Sequence, residues 1–119
     1  MGIPLEYFEK EGYERNIVIL TQPAGFQKSP NKLMPVIRIA LRKYPLMVKA
    51  LEERHIMYNR QLDYVARAEA EGRCLVIRPE GKIPIGHISH NPDKMHHVYE
   101  LGRQTGEQYI QKIKTFYEI

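Results

Sequence analysis

Two short runs of branched apolar residues constrain this chain more than any other feature. Ile17-Val18-Ile19-Leu20 lies between a charged segment and a proline-containing turn, and Cys74-Leu75-Val76-Ile77 lies between Gly72 and Pro79. Runs that short, β-branched and bounded by turn formers read as strands covered on both faces. Such strands belong to parallel sheets, whose crossover helices bury both sides. The expected fold class is therefore α/β. A short parallel two-strand sheet, over about residues 16–22 and 73–78, is joined by a long helical crossover and followed by a C-terminal helix. No further strand is evident, so the sheet reads as incomplete.

The segments around the runs carry helix punctuation. Pro4 can open a short helix at its first position, with Glu6 and Glu9 near the positive end. Leu5 and Phe8, at i and i+3, would face the sheet, and Gly12 would stop the helix. Met34, Ile37, Leu41 and Tyr44 form an amphipathic stripe over residues 33–43. Pro45 then starts a long helix to about residue 71, ending at Gly72. Its seam is Val48, Leu51, His55, Tyr58, Leu62 and Val65, at spacings of coiled-coil type. His55 on that seam reads first as a core histidine, with a ligand role as the rival. Asn91-Pro92-Asp93 is a helix start, with an Asn cap, Pro at the first position and an acid in the first turn. The terminal helix would turn Met95, Val98, Gly102, Thr105, Tyr109, Ile113 and Phe116 inward, and Gly102 and Gly106 would allow close approach of another element.

The chain has 119 residues, enough for one domain, with ordinary hydrophobic (43%) and charged (27%) content. No long uncharged apolar run marks a membrane span, and the first residues lack the pattern of a secretory signal. The single cysteine, Cys74, excludes an internal disulfide and fits a reducing, cytoplasmic setting. Inside its apolar run it reads as a buried, inert thiol.

The net charge of +4 is unevenly placed. Between positions 22 and 51 stand Lys28, Lys32, Arg38, Arg42, Lys43 and Lys49, with no acid. Lys28, Lys32, Arg38, Arg42 and Lys43 are the candidate anionic-ligand residues, a local field suited to the phosphates of lipid headgroups or nucleic acid. The plainer alternative is a solvated face, or one that meets an acidic partner surface.

Residues for catalysis are sparse. The two serines, Ser29 and Ser89, lie outside any Gly-x-Ser-x-Gly turn. Ser89 stands in His87-Ile88-Ser89-His90, but neighbours in an extended loop point opposite ways, which makes His90 a poor base for it. His87, His90, His96 and His97 are concentrated in one short region, yet only Asp93 could complete a metal-ligand set. There is no phosphate-cradling glycine motif. The eight tyrosines fall on helix seams and do not form a base-stacking sheet, so nucleic acid is not favoured. No catalytic residue, metal ligand or cofactor is expected.

Several segments together resemble a known family. Ile3-Pro4-Leu5, leading through Gly12-Tyr13-Glu14-Arg15-Asn16 into Ile17-Val18-Ile19-Leu20-Thr21-Gln22-Pro23, is similar to the segment after the catalytic aspartate motif of bacterial patatin-like phospholipases. Arg42-Lys43-Tyr44-Pro45, His55-x-x-Tyr58-Asn59, Val76-Ile77-Arg78-Pro79 and Tyr99-Glu100-Leu101-Gly102 resemble the C-terminal extension of one bacterial branch. The family comprises α/β lipid acyl hydrolases with a Ser-Asp dyad. Their serine lies in Gly-x-Ser-x-Gly, their aspartate in Asp-Gly-Gly/Ala, and a glycine-rich loop forms the oxyanion hole. None of these motifs occurs here, so the resemblance implies no catalytic position in this sequence.

What it implies is a C-terminal piece that starts just past the aspartate. Residues 1–30 would be the last part of the catalytic domain and residues 31–119 the extension, either separate or fused into one compact domain. The expected role is non-catalytic: to complete the sheet and shape or cover the acyl site. The expected partners are the remainder of the catalytic domain, an anionic lipid surface, and a second copy paired through the open sheet edge. Two rival classes remain: a stand-alone basic module for anionic lipid or nucleic acid, and a metal protein built on the histidines.

Overall fold

The computed structural model describes residues 2–86 and 89–118. The elements run α1 (Leu5–Lys10), β1 (Asn16–Ile19), α2 (Met34–Ala40), α3 (Pro45–Ala70), β2 (Cys74–Ile77) and α4 (Pro92–Tyr117). The fold is mixed α/β with a two-stranded parallel sheet. β1 and β2 pair from Asn16–Cys74 to Ile19–Ile77.

Both strands are shorter than the sequence suggests. The Leu20 amide still donates to the Ile77 carbonyl at 2.8 Å, but Thr21 and Gln22 fall in a bend. Pro79 ends the partner strand, so nothing remains for them to pair with. At the other boundary the Arg73 amide donates to the Ala68 carbonyl at 2.9 Å. It closes α3 and is lost to the strand. Gly72 makes that turn at φ +75°, in the left-handed region where a side chain would be strained.

The core lies where α1, α3 and the sheet meet. Ile3, Leu5, Val65, Ala68, Cys74 and Val76 are buried together, with Val18, Leu20, Tyr58, Leu62 and Tyr64 packed against them. Along the seam of α3, Val48, Leu51, His55, Tyr58 and Leu62 are half-buried and Val65 is buried, while Arg60 and Arg67 face solvent. His55 lies outside the core cluster, so it is not the core histidine the seam suggests. Gln61 and Asn59, beside the seam, tie down the preceding chain. Gln61 Oε1 accepts from the Gly2 and Ile3 amides, at 3.2 and 3.0 Å. Asn59 accepts from the Lys28 amide at 2.7 Å and donates to its carbonyl at 3.0 Å.

Phe8, Tyr44, Met95 and Gly102, all on expected inward faces, face outward instead. Phe8 is exposed, set edge-on to Tyr7 and Tyr13. The helix is only 6 residues long, and Leu5 alone reaches the core. Met95 and Gly102 on α4 are exposed as well, and a side chain built at Gly102 or Gly106 would meet nothing within 4 Å.

α4 begins as its sequence specifies. The Asn91 side chain accepts from the Asp93 and Lys94 amides at 3.0 and 3.2 Å, with Pro92 in the first turn. Val98, Thr105, Tyr109, Ile113 and Phe116 are half-buried. The end of α4 is fastened to the entrance of β1, where Arg15 donates to the Phe116 carbonyl at 3.2 Å and Tyr117 donates to the Arg15 carbonyl at 3.2 Å.

Candidate functional site

The basic stretch occupies a loop, α2 and the first turns of α3, and these elements divide its charges. Lys28 is held by Asn59, and its ammonium lies 5.2 Å from the centre of the Tyr58 ring. Arg38 pairs with Glu52, which α3 brings across from outside the acid-free stretch. Lys32, Arg42, Lys43 and Lys49 are exposed and make no ion pair among the described residues. The candidate surface therefore retains Lys32, Arg42 and Lys43, with Arg38 partly neutralised and Lys28 folded onto an aromatic ring.

A groove of about 370 Å³ opens at the C-terminal ends of the strands, beneath α4. Ile19, Leu20, Ile77, Ile83, Val98 and Leu101 give it apolar walls, and Thr21, Gln104 and Gln108 add polar groups. The carboxyl ends of parallel strands are where open α/β sheets commonly hold ligands. The described lining residues include no serine, cysteine or histidine. The lining also includes the charged Arg78, Glu80 and Lys82, so the groove can enclose an apolar group beside charged side chains.

A polar knot joins α1, α3 and the start of β2. The Tyr64 hydroxyl and the Arg73 guanidinium both donate to the Glu9 carboxylate, and Arg73 also pairs with Glu71 at 2.7 Å. Burial would raise the Glu9 pKa, but the two hydrogen bonds and the Arg73 charge outweigh it and hold the carboxyl below its ordinary value. The Tyr64 hydroxyl is pushed up, chiefly because it donates to that carboxylate. Hydrogen bonds to Glu71 and Glu9 push Arg73 further up still. The knot is fully paired, which suits a fastening role. Sequence reading missed it because its partners lie 55 and 64 residues apart.

Cys74 is buried, and burial is the main cause that raises its thiol pKa. The thiol is protonated and shielded, so it is a poor nucleophile. Of the histidine-rich region, His87 and Ile88 lie outside the described residues. His90, His96 and His97 are exposed, and the His96 ring stacks near Tyr99 with centroids 6.3 Å apart. Among the described residues no three His, Cys, Asp or Glu side chains gather as a metal site would require. No helix among them is long and apolar enough to cross a membrane.

A family model described as "Domain of unknown function (DUF6363)" matches residues 44–118. The chain belongs to this family. The DUF6363 region takes in α3, β2 and α4, while α1, β1 and α2 precede it. Its strand β2 thus takes its hydrogen-bonding neighbour from outside the matched region. No curated protein and no solved structure matches the chain.

Proposed function

We propose that this chain is the non-catalytic C-terminal part of a patatin-like lipid acyl hydrolase. In this reading the DUF6363 region appends β2 to a sheet begun by the preceding chain and helps to shape or cover the acyl site. The observation that carries the reading is the pairing of β2 with β1 across the start of the matched region. A parallel pair with two open edges is a small fragment of the sheets in which parallel strands normally occur. Ile19, at the end of β1, is 73% exposed beside the apolar groove, where further strands or an acyl chain would cover it.

The test is hydrolysis of a short p-nitrophenyl ester, then of longer acyl esters and phospholipids. This chain is assayed beside a protein extended upstream through Asp-Gly-Gly and Gly-x-Ser-x-Gly. Activity in the longer protein alone is expected. Serine-dependent hydrolysis by this chain, or silence of both on every substrate, would overturn the reading.

A second reading, a basic module for anionic ligands, is favoured by Lys32, Arg42 and Lys43, all exposed on or beside α2.

A further inference from the structure

The turn between α2 and α3 exposes apolar side chains where a folded chain usually hides them. Ile39 is 74% exposed and Leu46 82%, and Val36, Tyr44 and Met47 are exposed as well. These are not residues of a helix that lacks a packing face. α2 buries Met34 on its opposite side, and α3 buries its seam further along. These exposed apolar side chains all fall within one stretch of twelve residues spanning the turn, and apolar side chains gathered in this way mark an interaction surface.

Its chemistry selects the partner. Lys32, Arg42, Lys43 and Lys49 are exposed in the same stretch of chain, and no acid occurs between positions 22 and 51. Glu52, the first acid beyond that stretch, is engaged by Arg38. A nucleic acid would satisfy the cations but leave Ile39 and Leu46 in water, and an acidic protein surface would have to set an apolar patch among its acids to cover both. A neutral apolar partner would leave the cations unused. An anionic bilayer surface satisfies both, because its headgroups attract lysine and arginine while its acyl boundary accepts apolar side chains.

We infer that the α2–α3 elbow, centred on Ile39, Arg42, Lys43, Tyr44 and Leu46, is an interfacial docking surface for anionic lipid bilayers. The inference deepens the second reading above, naming its ligand, and does not depend on the hydrolase reading. The elbow lies on the surface without spanning the bilayer. Attachment is reversible, with the apolar side chains seated at the headgroup boundary and the cations above them.

The test is co-sedimentation of the full chain with vesicles of phosphatidylcholine alone and of phosphatidylcholine mixed with phosphatidylglycerol, each at low and high salt. A parallel arm titrates duplex DNA. Binding to the mixed vesicles alone, weakened by salt, is the expected result. Arg42→Gln with Lys43→Gln should weaken it about 25-fold, since each cation near an anionic surface contributes about fivefold. Ile39→Ser with Leu46→Ser should abolish binding while leaving the circular dichroism spectrum unchanged, because both side chains are already exposed. The inference is overturned by equal binding to neutral vesicles, by no vesicle binding, or by serine variants that bind as well as the parent. DNA binding without vesicle binding would keep the basic stretch as an anion site but remove the membrane as its partner. None of these outcomes bears on ester hydrolysis, so the two proposals fail separately.

Discussion

Val18 and Val76 stand opposite each other in the parallel β1–β2 pair, and both pack into the cluster built on Val65 and Ala68 of α3. Two distant runs thus meet because one helix offers them a common apolar surface. Each run is too short to be stable as a strand without that cover.

Val65 is 1% exposed at the centre of this cluster. Val65→Ala should lower stability by about 2 kcal/mol, through lost burial and a residual cavity. Val36→Ala, at an exposed site of α2, should change it by less than about 0.5 kcal/mol. Urea unfolding of the two variants measures both, and equal effects would contradict the assigned core.

The Asn59 amide replaces a backbone neighbour for the loop at Lys28, donating and accepting one hydrogen bond there. Asn59→Ala should cost about 1–3 kcal/mol, because both Lys28 backbone groups lose their partner. Hydrogen exchange at the Lys28 amide should accelerate beyond what the global loss of stability explains.

Glu9 and Tyr64 make stability depend on pH in opposite ranges. The Glu9 carboxyl is held below its ordinary value of 4.5, so its contribution is present above that value and is lost as pH falls through the lower, folded-state pKa. The Tyr64 hydroxyl is raised above its ordinary 10.0, so its contribution is present below that value and disappears as pH rises through the folded-state pKa. Glu9→Gln should flatten the acid limb of the stability profile, and Tyr64→Phe the alkaline limb. Unchanged limbs in chemical denaturation across pH would contradict the knot.

Cys74 should resist thiol reagents in the folded chain and react fully once urea has unfolded it, since burial both shields the thiol and keeps it protonated. Rapid labelling under native conditions would contradict the placement of β2 against α3.

The elements most legible in the sequence were those specified by local chemistry. The Asn91-Pro92-Asp93 cap, the left-handed stop at Gly72 and the seam from Val48 to Val65 each act through neighbours a few residues away. The parallel pairing was also legible, because two short apolar runs flanking a helix have few other arrangements. The expected cover on both faces was not met in β1, where no residue is fully buried and Ile19 is exposed. Strand lengths were not, since Thr21 and Gln22 needed a pairing partner that Pro79 removes. Nor was the exposure of Tyr44 and Met95, because apolar periodicity reports a face without saying whether a neighbour covers it. The cations of the basic stretch were visible in the sequence. Their unequal fates were not, because the Arg38–Glu52 pair forms only when α2 folds back on α3.

In the proposed reading, β1 and β2 belong to a wider sheet completed by preceding chain. The Leu20 amide donates toward β2, so the alternation of a strand turns the Ile17 and Ile19 amides to the outer edge. Their hydrogen exchange, measured in this chain and in the upstream-extended protein, tests the claim directly. The account predicts fast exchange here and strong protection in the longer protein, where a neighbouring strand accepts both bonds. Equally fast exchange in the two would contradict it.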